Sequence, residues 1–167
     1  MTLAKSKDEN SAYHARKLWE IGVEQIMNGQ VTLAMETLEE SLRIQPSAEA
    51  HTYQGWARSF MGQYNEAILD CRKAIRIDPD FGNPYNDIGV YLMQLGRLDE
   101  AIHWLSLAKD ASRYEPRHFP FLNLGHILVI QGRFAEALNE YVQALELDPQ
   151  NKVALQAIAD MDPLMLL

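Results

Sequence analysis

The chain has 167 residues, a formal net charge of −8 and 47% apolar residues. This apolar content is sufficient to fill a buried core, which excludes an intrinsically disordered chain. The acidic excess argues against a general nucleic-acid binder, which needs clustered cations facing the phosphates, and against docking on an anionic membrane surface.

Three features bear on the cellular location. Cys71 is the only cysteine, so no intramolecular disulfide can form and nothing indicates an oxidising compartment. The opening stretch, MTLAKSKDENSAYHARK, has no apolar run that would serve as the core of a signal peptide. No window approaches the roughly 18 consecutive apolar residues of a membrane span. The sequence therefore predicts a cytoplasmic protein without membrane insertion.

Residues 1–14 are predicted to be a polar lead-in, with Asn10 or Ser11 as the cap of a first helix lengthened by a turn. After them, one seven-residue phrase recurs four times, as GQVTLAM, GQYNEAI, GRLDEAI and GRFAEAL. The phrases begin at Gly29, Gly62, Gly96 and Gly132, which are 33, 34 and 36 residues apart. A nearly constant period in this range is typical of a stacked array of structural repeats.

Each repeat is predicted to be a helix, a tight glycine turn and an antiparallel helix that ends at or near a proline. In the last repeat, Phe121, Leu124, Gly125 and Leu128 recur with the period of one helix face. The second half ends at Asp148-Pro149, because proline cannot continue the helical hydrogen bonds. The four units are 15–47, 48–81, 82–117 and 118–151, and residues 152–167 are predicted to form a capping helix and an apolar tail, PLMLL.

Small residues recur at fixed places in these units. A mid-helix glycine costs about 1 kcal/mol relative to alanine, so four of them in one register indicate close approach of the paired helix. The turn glycines are predicted to adopt a left-handed conformation. The mid-helix glycines are Gly22, Gly55, Gly89 and Gly125, and the alanines expected to face them are Ala34, Ala67, Ala101 and Ala137.

These units resemble tetratricopeptide repeats, a family with eight signature positions in each 34-residue unit. The first and third units match seven positions, the third with its proline displaced by two extra residues in ASRYEPRHF. The second unit keeps Gly55, Ala67, Ala74 and Pro79. The last unit matches all eight, with Phe121, Leu124, Gly125, Leu128, Ala137, Tyr141, Ala144 and Pro149.

The resemblance implies an all-α fold, a right-handed superhelix of helix pairs, and a non-enzymatic scaffold for protein–protein interaction. In this family the first helix of each unit lines a concave groove. Most groove positions here are large and apolar, which predicts a protein or peptide partner with an apolar or amphipathic segment. The predicted groove residues are Trp19, Val23, Met27, Thr52, Trp56, Phe60, Asn86, Val90, Met93, Leu122, His126 and Val129.

Two interpretations of the groove stay open at this point. In the first, some residues at groove positions, with Ile26 and Ile130 among the candidates, are simply core because the helices pack against neighbours on several sides. In the second, Trp19, Trp56 and Phe60 line a groove that binds an apolar partner. The family's clamp for the carboxylates of chaperone C-termini is not expected, because the equivalent positions carry no cation. If the clamp starts at the first unit, those positions include Trp19 and Asp87, and if it starts one unit later they include Trp56 and Asp87.

The second unit departs most from the pattern, because His51, Gln54 and Arg58 occupy signature positions where apolar side chains are expected. Unpaired and buried, Arg58 would cost several kcal/mol. Either the helix rotates to present Tyr53, Ala57 and Met61 inward, or the three polar residues form a paired polar pocket.

No catalytic motif is present, no helical pair of histidines is spaced for a metal, and no cofactor is predicted. Cys71 is expected to be an inert buried thiol. Two other functions remain as alternatives. The apolar tail, residues 163–167, would allow assembly into a homo-oligomer, and the length and fold also resemble those of small chaperones for secreted proteins.

Overall fold

The computed structural model describes the backbone of residues 2–161 and the side chains from residue 8 onward. In this part of the chain nine α-helices occur, and the only β contact is an isolated bridge between Phe81 and Arg113. The predicted all-α fold is confirmed. The helices are α1 (Thr2–Met27), α2 (Val31–Ile44), α3 (Ala48–Phe60), α4 (Tyr64–Ile77), α5 (Asn83–Gln94), α6 (Leu98–Asp110), α7 (Phe119–Ile130), α8 (Phe134–Leu147) and α9 (Lys152–Met161).

The helices pack as four antiparallel hairpins, α1 with α2, α3 with α4, α5 with α6 and α7 with α8, and α9 covers α8 at the end of the stack. The first helices of neighbouring hairpins are in contact: α1 with α3, α3 with α5, and α5 with α7. The second helices make no comparable contact with each other in the described part of the chain. The stack therefore curves with its first helices on the inside, and we call the surface that they form the inner groove.

Glycine and proline define the hairpins as predicted. The four turn glycines, of which Gly62 is one, have φ values of 71–75°, and a Cβ atom placed on any of them would meet nothing within 4 Å. Left-handed backbone rather than crowding is therefore what selects glycine there. The second helices α2, α4 and α8 end at Ile44, Ile77 and Leu147, each two residues before a proline.

Three of the four glycines inside the first helices admit a large side chain of the second helix. A Cβ atom at Gly89 would lie 2.5 Å from Cγ of Leu105, and one at Gly125 would lie 2.7 Å from Cε1 of Tyr141. The small alanine was expected in this place, but it lies one turn earlier and is itself fully buried. Only at Gly55 does the alanine provide the closest atom, through the carbonyl oxygen of Ala67. At the other three glycines the closest atoms belong to Leu38, Leu105 and Tyr141.

The first helix is longer than predicted. It runs from Thr2 to Met27 without interruption, so neither Asn10 nor Ser11 caps it, and residues 2–14 are helical rather than a separate lead-in. This stretch contains neither glycine nor proline, and adding a residue to an existing helix gains a hydrogen bond without a new nucleation cost. The apolar tail, residues 163–167, lies outside the described residues.

The two extra residues of the third unit lengthen the loop between α6 and α7, residues 111–118, which folds back onto the second unit. The Gly82 amide donates to the Arg113 carbonyl at 2.9 Å, and the Arg113 amide donates to the Asp80 carbonyl at 3.0 Å. The Arg113 guanidinium also donates to Asp78 and to Glu49, and it lies 4.1 Å from the Phe81 ring centroid. The insertion is therefore tied to both sides of the junction between units two and three.

Arg58, on the polar face of the second unit, is paired. Arg58 Nε donates to Oδ2 of Asp70 at 2.8 Å, and Lys73 donates to the other oxygen at 2.8 Å. The Asp70 side chain is 3% exposed, so its charge is neutralised inside the α3–α4 hairpin. Gln54 and Ala57 are buried, whereas Met61 is exposed. The helix therefore has not rotated to bury Met61, and an ion pair with α4 accommodates Arg58.

Candidate partner-binding groove

Four aromatic side chains form a continuous row in the inner groove, and we call Trp19, Tyr53, Trp56 and Phe60 the aromatic strip. Trp19 stacks on Tyr53 with ring centroids 5.5 Å apart and an interplanar angle of 24°. Tyr53 and Trp56 are 6.4 Å apart, and Trp56 and Phe60 are 5.6 Å apart. Each ring therefore touches the next, and the strip crosses from α1 to the end of α3.

The local sequence explains the strip. Tyr53, Trp56 and Phe60 are spaced i, i+3 and i+7 on α3, which places them on one helix face. The Ser47 side chain accepts a hydrogen bond from the Ala50 amide at 3.1 Å and fixes the start of this helix. Phe60 is 59% exposed and the other three rings are half-buried. The sequence predicted three of these residues for the groove but not Tyr53.

A cavity of about 590 Å³ lies at one end of the strip, where the middle of α1 meets the N-terminal halves of α3 and α5. Trp19 and Tyr53 form part of its wall, and the insertion after α6 supplies Arg113, Tyr114 and Glu115. Sequence analysis missed these three residues. The one signal that would have indicated them is the surplus length of the third unit, because an insertion between hairpins must fold over a neighbouring surface.

Several predicted groove residues are engaged inside the fold instead. Thr52 is 2% exposed and donates to the Ala48 carbonyl of its own helix at 2.8 Å. Asn86 is 8% exposed and accepts from Asn123 at 2.9 Å. Leu122 is 7% exposed in the core between α7 and α8. These three do not line an accessible surface, because neighbouring first helices pack directly against each other.

Other predicted residues remain accessible. Met27, Phe60 and Ile130 occupy the same register at the ends of α1, α3 and α7, and they are 75%, 59% and 56% exposed. All three are exposed apolar side chains at the rim of the groove, α5 carries the exposed Gln94 at the same register, and Ile26 belongs to the core. The remaining predicted residues are the exposed His126 and the half-buried Val23, Val90, Met93 and Val129.

One carboxylate near the cavity-lining tyrosines, Asp87, forms no ion pair among the described residues. Asp87 is half-buried on α5, at the register that Tyr53 has on α3 and Asn123 has on α7. Burial raises the pKa of Asp87 to about 7, and the hydrogen bond from Asn86 opposes that shift only weakly. Burial and then the charge of Asp87 raise the pKa of Tyr53 and of Tyr114, which both line the cavity.

The described residues show no sign of a reactive or metal-binding centre. No group of three or more His, Cys, Asp or Glu residues among them is placed to hold a metal ion. Cys71 is a fully buried free thiol, and burial raises its pKa well above the usual value, as expected for an unreactive cysteine. None of the described helices is long and apolar enough to cross a membrane.

The architecture is that of a solenoid of helical hairpins with its first helices facing a groove, a class whose surfaces serve protein recognition. Tetratricopeptide repeat models match residues 48–81, 83–114 and 125–155, together more than half of the chain. The chain therefore belongs to the tetratricopeptide repeat family, as its repeated signature residues indicated.

Individual proteins are similar over shorter or longer parts of the chain. A small glutamine-rich tetratricopeptide repeat-containing protein 2 of Mycosarcoma maydis is 33% identical over 97 residues, which are 58% of this chain and 27% of that protein. The structure of pilF from Pseudomonas aeruginosa has a TM-score of 0.88 at 23% identity and covers 94% of this chain and 71% of its own. The first repeat domain of Spaghetti (RPAP3), bound to an HSP90 peptide SRMEEVD, has a TM-score of 0.66 at 21% identity over 72% of this chain and 94% of its own.

Proposed function

We propose that this protein is a non-enzymatic cytoplasmic scaffold that binds an apolar or amphipathic segment of a partner protein in its inner groove. The aromatic strip carries this proposal, because linked aromatic rings of which one is mostly exposed offer an accessible apolar surface on the inner side of the stack. Exposed apolar patches of this kind usually mark interaction sites, and tryptophan and tyrosine are enriched in binding hot spots.

The geometry of the groove favours a segment that runs along the strip. Trp19 and Tyr53 lie in the wall of the cavity, and the exposed Phe60 lies at the far end of α3. A helix with apolar residues on one face would place successive side chains on these rings. Each large side chain that is buried contributes roughly 25 cal/mol per Å² of apolar area, less the cost of ordering the segment.

The charges beside the strip support an apolar partner rather than an acidic one. The two cations that line the cavity are Arg16 and Arg113. Arg16 is paired with Glu20 at 2.8 Å, and Arg113 is bound to Glu49 and Asp78. Because each cation that lines the cavity already contacts a carboxylate of the protein, the carboxylates of a partner would have to compete with those existing pairs.

A peptide selection tests the proposal. Peptides would be selected on the full-length protein from a displayed library of random sequences, and the affinity of each selected peptide would be measured by fluorescence anisotropy. The double variant Trp56→Ala/Phe60→Ala should weaken binding by about tenfold to a hundredfold, since two aromatic contacts are lost. The matched control is Leu69→Ala, which removes a similarly exposed apolar side chain (58%) from an outer helix, α4.

Circular dichroism would confirm that each variant is folded, and Phe60→Ala alone replaces the double variant if removing Trp56 destabilises the hairpin. Phe60 is mostly solvent-exposed, so its removal should not unfold α3. Peptides whose affinity is unchanged by both groove variants, or reduced equally by Leu69→Ala, would contradict binding in the inner groove.

A further inference from the structure

We propose that the partner segment carries a lysine or arginine side chain that pairs with Asp87, beside the apolar residues that contact the aromatic strip. This inference rests on the proposed function, because it names the chemistry of the segment that occupies the same groove. Three observations support it: Asp87 lies one hairpin from the aromatic strip, its carboxylate forms no ion pair among the described residues, and the charge around the cavity is negative.

The position of Asp87 links it to the groove. It shares its register with Tyr53 of the aromatic strip, one hairpin away, and α3 and α5 are in contact. Its charge acts on Tyr53 and Tyr114 in the cavity wall, and on Tyr91 and Cys71 in the core. The carboxylate therefore lies close to the tyrosines of the cavity wall without lining the cavity itself, and the residue is only partly buried.

Asp87 differs from the other inward carboxylates in having no cation. Asp70 is bound by Arg58 and Lys73, and Glu140, 16% exposed, is bound by Lys109 at 2.9 Å. Among the described residues, no lysine, arginine or histidine forms an ion pair with Asp87. Its one hydrogen-bonding side chain is the neutral amide of Asn86, whose oxygen in turn accepts from Asn123. A half-buried carboxylate in this state is stabilised by a positive charge that arrives from outside.

The charge balance of the cavity also favours a positively charged side chain on the partner. Arg16 and Arg113 are matched by carboxylates, as described above, and Glu115 in the cavity wall makes no ion pair among the described residues. The uncompensated charge at this end of the groove is thus negative, in a chain of net charge −8. This negative charge attracts a cationic group as it approaches and stabilises it once it is bound.

The surroundings suit a long basic side chain in particular. Lysine and arginine have apolar stems that cover aromatic surface while the charged end reaches a carboxylate. The rings of Tyr53 and Tyr114 lie near Asp87, and the faces of such rings attract cations. Arg113 already lies over Phe81 in the same cavity in this manner. A basic residue one or two turns from a bulky apolar residue would reach Asp87 and the aromatic strip together.

The peptides selected on the full-length protein provide the experiment. For each one, affinity would be measured for the wild type, for Asp87→Asn and for the control Glu66→Gln, which removes an equal charge from an exposed position on α4. Each peptide would also be made with its basic residue replaced by norleucine, which keeps the apolar stem and removes the charge. Asparagine is isosteric with aspartate and removes a partly buried charge, so Asp87→Asn should fold, which a thermal unfolding curve verifies.

The expected result is enrichment of lysine or arginine near an apolar residue in the selected peptides. The norleucine peptide should then bind the wild type about tenfold or more weakly than the basic peptide does. The Asp87→Asn variant should bind the basic peptide and the norleucine peptide with the same reduced affinity. Glu66→Gln should change nothing. Peptides that lose affinity with Trp56→Ala/Phe60→Ala but contain no basic residue, or are indifferent to Asp87→Asn, would overturn this inference and leave the groove function intact. Peptides indifferent to the aromatic strip would overturn both.

Discussion

The ion pair between Arg58 and Asp70 yields the sharpest test of how the second hairpin is held together. Arg58→Met keeps most of the side-chain volume but removes one of the two cations on a carboxylate that is 3% exposed. Removing one partner of a buried pair typically costs about 3–5 kcal/mol. Because Lys73 remains bound at 2.8 Å, we expect a smaller loss here, about 2–3 kcal/mol in the free energy of unfolding.

The double variant Arg58→Met/Asp70→Leu should recover most of that loss. It removes the buried charge together with its partner, and Lys73, whose side chain is 45% exposed, turns to solvent. A hydrophobic replacement of a buried pair is often neutral or stabilising. The double variant should therefore unfold within about 1 kcal/mol of the wild type.

Urea unfolding followed by far-ultraviolet circular dichroism measures these differences, and hydrogen exchange of the α3 and α4 amides localises them to the second hairpin. Glu66→Gln on α4 is again the control, since its exposed carboxylate should contribute little. If Arg58→Met were as stable as the wild type, or if the double variant were less stable than Arg58→Met, then the pair would not be what accommodates the polar face.

Three further outcomes are expected. Gly55→Ala should destabilise the protein by about 1–2 kcal/mol in urea unfolding, although alanine favours an isolated helix, because its Cβ would lie 2.9 Å from the Ala67 carbonyl oxygen; a gain in stability would contradict this. The folded pKa of Asp87, about 7, exceeds the ordinary value of 3.8, so the folded state binds more protons and its stability should fall as the pH rises between these values. The groups whose pKa Asp87 influences on the other packed elements, Tyr53, Cys71 and Tyr114, are neutral throughout that range, so thermal unfolding of Asp87→Asn should show a weaker pH dependence, and curves parallel to wild type would refute this. Cys71 should react with a maleimide only when urea unfolds the chain, and rapid labelling of the folded protein would argue against its burial.

Local patterns in the sequence were sufficient for the repeat architecture. Turn glycines such as Gly62 require a left-handed backbone whatever surrounds them, and a proline two residues past a helix ends it for reasons confined to a few bonds. The periodic apolar residues placed the helix faces, and through them Trp19, Trp56 and Phe60 of the aromatic strip. The prediction that residues 1–14 form a separate lead-in was wrong, because a polar composition does not by itself stop a helix that is already nucleated.

The finer details of packing could not be predicted in this way. Whether Thr52 or Phe60 is accessible depends on the distance between neighbouring first helices, and the repeat register alone does not specify that distance. The same holds for the glycines, where Leu105 and Tyr141 rather than the alanines fill the space at the crossing.

The sequence by itself determined the number of hairpins, their turns and the aromatic character of the groove, because each of these depends on residues close together in the chain. Only the tertiary structure decided that Arg58 meets Asp70 across a hairpin, that the insertion carrying Arg113 closes a cavity on the preceding unit, and that Asp87 has no ion pair among the described residues. Charge pairing and burial depend on distances between residues far apart in the chain, and those distances exist only once the helices have packed.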